Sequence, residues 1–532
     1  MKRSRNARLA LLRLIMTTLC CAVIIQLARH ATTSEYRQAA QQQGRYVVRL
    51  PVSHGTIYDR NFEPLVNRST EQIAVVNPTG EAVSAILPYL TEPDAFYEQL
   101  VYGTPFTCGV STADIPSKDV FVFDVPVRNE EQPLAQHVIG YTQDGKGVTG
   151  LEADFDSILR REKEQTTVTF EVDGTGGVLS GEAALVRNAA EAVEGVVTAL
   201  DAGIQQICER AAASLKKGCV IVLDADEGDI LAMVSVPAYS LSNMEAALTS
   251  EDSPLINRAL YAYPVGSIFK LIPSASALES GEEDFMYACT GTIKIGTQVF
   301  RCHDHSGHGM ETLETALIHS CNPYFIAMSQ KLSVRNLFET AAAWGFGREI
   351  ELTDSMSASA GPMPTIPELQ LPAEKANFCF GQGKLTASPL HVARMTCAIA
   401  NGGILPEVRL VRGTTEDGKT VENEQKPEGE RVMDAETAER LRRMMIAAAY
   451  GSSSFQGLPE NTAVGAKTST AQTGRYDEND VEYCHGWITG FYPAHDPEYV
   501  VTVLAEDGGY GNEAAAPVFR EIISEMAANG WK

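Results

Sequence analysis

At 532 residues the chain is longer than one hydrophobic core supports. Its 44% hydrophobic and 21% charged content is that of globular protein, which excludes a largely disordered chain. A formal net charge of −25 argues against nucleic acid as a ligand and against tight apposition to anionic lipid, because both would be repelled.

The N-terminus departs from that balance. Residues 1–28 hold Lys2, Arg3, Arg5, Arg8 and Arg13 and no acid, so the rest of the chain is still more acidic. Leu9–Ala28 is apolar apart from Arg13, two threonines and Gln26, and twenty residues suffice to cross a bilayer. The flanking positive charge predicts a cytoplasmic N-terminus with the bulk of the chain outside. A cleaved signal peptide is the competing reading, since the uninterrupted apolar part, Leu14–Ile25, is short. No small-x-small cleavage site follows, and an uncleaved anchor over 1–30 is the expectation.

Thr33–Gln43 is polar and reads as a stalk. Val47–Asn67 reads as a strand, a turn and a strand around Thr56-Ile-Tyr-Asp-Arg-Asn61. Short strands and turns continue to about Glu194 and carry no evident chemistry, which predicts a pedestal domain over 31–193. From Val196 the pattern changes. A strand, a turn and a helix with apolar residues at i, i+3 and i+4 over Ile204–Leu215 are followed by apolar runs at Cys219–Leu223 and Ile230–Val236. The turn between those runs, Asp224-Ala-Asp-Glu-Gly-Asp229, marks a hairpin. Further strands are expected at Val464–Gln472, Gly486–Tyr492 and Tyr499–Ala505, with a last helix through Ala514–Ala527. Strands at both ends and helices between them predict an α+β domain over 194–532, an antiparallel sheet flanked by helices.

Within it, Tyr261-Ala-Tyr-Pro-Val-Gly-Ser-Ile-Phe-Lys270 places Ser267 three residues before Lys270 at a helix start. That spacing puts both side chains on one face, and the apolar run around Lys270 would lower its pKa toward that of a base. An activated serine with lysine as its base is the chemistry this suits. Downstream lie Ser320-Cys-Asn322 and Lys467-Thr-Ser-Thr470. A second constellation, Cys289, Cys302, His308 and Cys321, offers three thiolates and an imidazole for a tetrahedral structural Zn²⁺. A Cys289–Cys302 disulfide and plain buried thiols are the rival readings, and His303 and His305 are possible substitutes as ligands. Nine cysteines lie outside the apolar N-terminus, an odd number that argues against a complete disulfide framework.

The three segments together resemble, in order and approximate spacing, the SxxK, SxN and KTG motifs of penicillin-binding proteins and serine β-lactamases. Thr56-Ile-Tyr-Asp-Arg-Asn61 resembles the segment that class B penicillin-binding proteins carry just outside the membrane, with Phe62 in place of the usual glycine. Asn257-Arg-Ala-Leu260, Gly381-Gln-Gly383, Ala387-Ser-Pro-Leu390 and Ile399-Ala-Asn-Gly-Gly403 also resemble that class. The resemblance implies a membrane-anchored peptidoglycan D,D-transpeptidase, inhibited by β-lactams and needing no cofactor for catalysis. It assigns Ser267 as nucleophile, Lys270 as base and Ser320 as proton shuttle. Asn322, Lys467, Thr468, Ser469 and Thr470 become substrate-binding positions. It implies as partners peptidoglycan stem peptides on lipid-linked glycan strands and a membrane glycosyltransferase of the SEDS type. A hydrolytic relative, either a D,D-carboxypeptidase or a class D-like β-lactamase, is the enzymatic alternative, and a non-catalytic scaffold is the other. One departure stands out: Ser469 replaces the motif's glycine, and its hydroxymethyl group is expected to narrow the substrate edge and weaken reaction with β-lactams.

Overall fold

The computed structural model describes residues 2–32, 44–51, 54–131, 133–160, 165–173, 177–179, 184–188, 193–424, 426, 428–451, 458 and 462–531. The expected stalk, Thr33–Gln43, lies outside them. Helix α1 runs over Lys2–Thr32, and its segment Ala7–Arg29 is long and apolar enough to cross a membrane. No residue of that segment is buried against protein, as a lipid-facing helix requires.

The chain divides into two compact units, and the division is not a single cut near residue 193. The first comprises 1–53, 69–127 and 161–191, and the second 54–68, 128–160 and 192–532. In the first, one three-stranded sheet joins Arg45–Arg49, Thr167–Glu171 and Leu185–Arg187, and another joins Phe106–Val110, Thr70–Val76 and Val120–Pro126. Thr70–Val76 serves two cores because its side chains alternate. Ala74 and Val76 pack with Ile86, Phe96 and Phe106, while Val75 packs with Val48, Leu50, Val168 and Phe170.

The two strands expected over Val47–Asn67 form earlier in the segment, at Arg45–Arg49 and Thr56–Tyr58, and do not pair with each other. Arg45–Arg49 pairs with Thr167–Glu171 in the first unit, whereas Thr56–Tyr58 runs parallel to Gly195–Thr198 in the second. A buried carboxylate explains the choice. Asp59 accepts the backbone N–H groups of Asn61 and Glu63 at 2.7 and 2.8 Å and that of Ala202 at 3.1 Å. Arg128 adds a second tie, donating to Gly55 O at 2.6 Å and to Glu152 at 2.8 Å.

The second unit is built on a five-stranded antiparallel sheet. Its strands are β1 (Gly218–Asp224), β2 (Ile230–Val236), β3 (Gly465–Tyr476), β4 (Glu482–Tyr492) and β5 (Tyr499–Ala505), in the order β2-β1-β5-β4-β3. The β3–β4 hairpin extends beyond the apolar runs in sequence, because its distal part is polar and is held by backbone pairing and by side-chain hydrogen bonds from Gln472, Thr473 and Glu482. Helices α2 (Ala202–Ala212), α3 (Leu271–Glu279), α4 (Asn322–Ser329), α5 (Pro389–Ala400), α6 (Ala435–Tyr450) and α7 (Gly511–Ala528) cover the sheet. Val220, Val222, Ile488 and Val503 face α2 and α7, which contribute Ile204, Ile207, Phe519 and Ile523. Cys219, Ile221, Leu223, Trp487 and Phe491 face the larger helical layer, which holds Phe269, Ile272, Phe325 and Leu390. Cover on both faces is why these strands read as continuous apolar runs.

Candidate active site and cysteine–histidine cluster

Ser267 lies in a short 3₁₀ turn, Gly266–Lys270, that continues into α3. The turn is held from several sides. Gly266 N–H donates to Gly381 O at 2.9 Å, and Tyr263–Pro264 pairs with Thr386–Ala387. Gly381 adopts φ +74°, and a side chain there would place Cβ 2.0 Å from Gly266 O. This gives the glycine of Gly381-Gln-Gly383 a steric reason. Arg258, from Asn257-Arg-Ala-Leu260, is buried, pairs with Glu506 at 2.5 Å and donates to the carbonyls of Asp252 and Ser253.

Lys270 is fully buried at the centre. Its Nζ lies 2.7 Å from Ser320 O, 2.6 Å from Asn322 Oδ1, 3.0 Å from Ser267 Oγ and 3.1 Å from Ser320 Oγ. The valences decide what this can do. The two carbonyl oxygens only accept, so they take two N–H bonds. A neutral amine has no more to give, and its lone pair then faces the hydroxyls of Ser267 and Ser320. Burial pushes the Lys270 pKa well below its ordinary value, and the nearby Lys467 charge adds to this. Ser320 itself sits at φ +53°, an uncommon conformation for a serine, between the helix Leu313–Ile318 and α4.

The third segment lies on β3, an edge strand. Lys467 is buried, donates to Thr468 O at 3.1 Å, and is pushed by burial down to about 8. Thr468 and Thr470 are half-buried, and Thr470 Oγ1 accepts from Gly511 N–H at 3.3 Å. The structure differs from expectation at Ser469. Its side chain does not narrow the substrate edge. It is turned inward, 3% exposed, and donates to Val265 O at 2.8 Å. Alternation along the strand puts Ser469 on the Lys467 face, away from Thr468 and Thr470.

Cys289, Cys302, His308 and Cys321 converge, with one ligating atom from each within 4.8 Å of the others. Ligands bonded at about 2.3 Å to a tetrahedral Zn²⁺ stand roughly 3.8 Å apart, so the donor set fits such an ion. Both members of the alternative disulfide, Cys289 and Cys302, are free thiols. The Cys321 thiol donates toward Cys302 and favours its thiolate, while Cys321 is pushed up. His303 stands beside Cys302, its Nδ1 4.0 Å from that sulfur, and neither it nor His305 belongs to the converging four. Glu311 is buried between His308 and His319 and accepts from His319 Nδ1 at 2.8 Å. Asn322 Nδ2 donates to Arg301 O at 3.3 Å, which joins the second motif to the residue before Cys302.

Sequence reasoning missed Trp487, whose Nε1–H donates to Pro264 O at 3.0 Å, and Glu311 and Arg258 as supports. A buried Trp needs a partner for its N–H, but nothing in the sequence says which carbonyl that is.

A profile of the penicillin binding protein transpeptidase domain matches residues 218–524, more than half of the chain. Stage V sporulation protein D of Bacillus subtilis is 28% identical over 433 residues, which cover 77% of this chain and 65% of that protein. The peptidoglycan D,D-transpeptidase MrdA of Escherichia coli is 24% identical over 608 residues, covering 98% of this chain and 94% of MrdA. Among solved structures, a chain from a peptidoglycan synthase complex described as coordinating polymerization and crosslinking superposes with a TM-score of 0.68 at 23% identity. That match covers 97% of this chain and 98% of the other, and at this identity it speaks for the fold. The chain belongs to the penicillin-binding protein transpeptidases and, within them, to class B.

Proposed function

We propose that this protein is a serine D,D-transpeptidase that cross-links peptidoglycan stem peptides and is acylated by β-lactams. The observation that carries the reading is the buried Lys270 amine, 3.0 Å from Ser267 Oγ, with two N–H bonds committed to carbonyl oxygens. Its lone pair takes the Ser267 proton as Oγ bonds to the carbonyl carbon of the penultimate D-alanine. Backbone N–H groups of Ser267 and Thr470 receive the developing oxyanion. The C–N bond then breaks, the terminal D-alanine leaves as its amine with a proton passed through Ser320, and the acyl group stays on Oγ. An acceptor amine from a second strand attacks that ester, releasing Ser267 and forming the cross-link. Asn322 holds the substrate amide, and Lys467 with Thr468 holds the terminal carboxylate. No cofactor enters these steps.

The naming of MrdA as a D,D-transpeptidase supports this reading over hydrolysis. The synthase complex supports a polymerising partner, for which we take the membrane glycosyltransferase of the SEDS type that the family resemblance implies. The basic residues ahead of Ala7–Arg29 support an N-terminus inside and a catalytic unit outside the membrane. We assign the 31–193 region, as interleaved above, the role of pedestal and 194–532 that of transpeptidase domain. Cys289, Cys302, His308 and Cys321 hold a structural Zn²⁺ in this reading, pinning the loop that carries Ser320 and Asn322.

Fluorescent penicillin should label the protein covalently and stably, and Ser267→Ala should abolish labelling. Rapid release of label would favour a β-lactamase. Absence of label on folded protein would favour the scaffold.

A further inference from the structure

We propose that Ser469 is a positioning residue for the nucleophile, its hydroxyl fixing the backbone turn that presents Ser267; this rests on the transpeptidase reading above. Ser469 stands where the motif of related enzymes has glycine, so the contact is one that a glycine in this place does not make. Its Oγ–H donates to Val265 O at 2.8 Å, two residues before Ser267. Trp487, the cross-strand neighbour of Ser469, is fully buried and donates Nε1–H to Pro264 O at 3.0 Å. Two adjacent strands therefore hold two consecutive carbonyls of the same turn. The next residue, Gly266, is held from the opposite side through its N–H to Gly381 O.

The fit is close. Gly266 adopts φ +64°, and a Cβ there would lie 2.5 Å from Ser469 Oγ and 3.1 Å from Ala471 Cα. The Ser469 hydroxyl thus occupies space left by the missing side chain of Gly266. With glycine at 469 as well, that space would be empty and the Val265 carbonyl would lose this donor. The turn between β3 and Lys270 would then have more freedom, and Ser267 Oγ would spend less time on the Lys270 lone pair. A displacement of about 1 Å at a reacting atom costs on the order of 10²-fold in rate, so partial loosening should cost about tenfold. This is opposite in sign to the effect of a side chain crowding the substrate edge, for which glycine would raise the rate.

The test uses the full-length protein in detergent, comparing wild type with Ser469→Gly, Ser469→Ala and Ser469→Thr. We expect the maximal rate of labelling by fluorescent penicillin to fall about tenfold in the Gly and Ala variants. The half-saturating concentration should stay within about twofold. Amide hydrogen exchange should quicken in peptides covering 262–270 and stay unchanged over α2, which separates a local clamp from general destabilisation. Ser469→Thr, which keeps the hydroxyl, should restore both readouts. Unchanged exchange over 262–270, or labelling of Ser469→Gly as fast as wild type or faster, overturns the proposal. If wild type takes no label, the transpeptidase reading has failed, and the exchange measurement alone decides on the clamp.

Discussion

Lys270 and Lys467 are two buried amines with opposite duties, and their burial sets the pH range in which both are fulfilled. Lys270 must be neutral to accept a proton, and burial together with the Lys467 charge lowers its pKa well below the ordinary lysine value. Lys467 must be charged to hold a carboxylate, and burial brings it down to about 8. Acid protonates Lys270 and removes the base, while alkali discharges Lys467 and removes the anchor. The maximal labelling rate should therefore fall as pH drops, and the half-saturating penicillin concentration should rise as pH climbs through about 8. Lys467→Ala should weaken saturation at neutral pH and abolish the alkaline change. A half-saturating concentration that stays flat across pH 8 in wild type would remove Lys467 from the carboxylate site. The pairing of Lys270 with Ser267 was legible from their spacing, but the acceptors that commit its N–H bonds come from 50 and 52 residues away and were not.

At the scale of elements, the segment between α3 and α4 is assembled from small pieces. Tyr287–Cys289 pairs with Gly309–Glu311, and Thr292–Ile295 pairs with Gln298–Arg301, each a two-stranded ribbon. Isolated ribbons of that size are marginal in water. Cys289 ends one ribbon, Cys302 follows the other, His308 precedes the return strand and Cys321 caps α4. A metal held by all four would lock these pieces to the loop of Ser320, as folding linked to metal binding predicts. Purified protein should carry about one zinc per chain. Chelation should lower Tm by about 5 °C or more and slow labelling, with both restored by added Zn²⁺. Protein that folds and labels fully with no bound metal would refute the assignment. The cysteine and histidine spacing raised this possibility in sequence, although the spacing left a disulfide open. The three-dimensional gathering of four donor atoms, with no bond between Cys289 and Cys302, favours the metal reading, and the zinc measurement decides between them.

For the molecule as a whole, every residue assigned to chemistry lies in the second compact unit, and α1 contributes none. Protein lacking residues 2–32 should remain in the aqueous phase and label at Ser267 within about twofold of the full-length rate. A large loss of labelling would mean that the catalytic unit depends on the N-terminal helix. Other whole-molecule features were only half legible. The long apolar N-terminal helix, the sheet strands and the three motif segments could be read locally, since each is written in contiguous residues through apolar length, apolar runs or short spacing. The interleaving of the two units could not. Thr56–Tyr58 finds its partner in Gly195–Thr198, and Asp59 reaches Ala202, across more than 130 residues. The direction of Ser469 was misread from sequence, which placed its hydroxymethyl group at the substrate edge. A strand residue has two faces, and only the packing of β3 against the Val265–Gly266 turn determines which one is buried. Sequence by itself therefore determined which groups are available for chemistry. The tertiary structure decided which of them touch, because contact between distant segments depends on packing and pairing that no local pattern encodes.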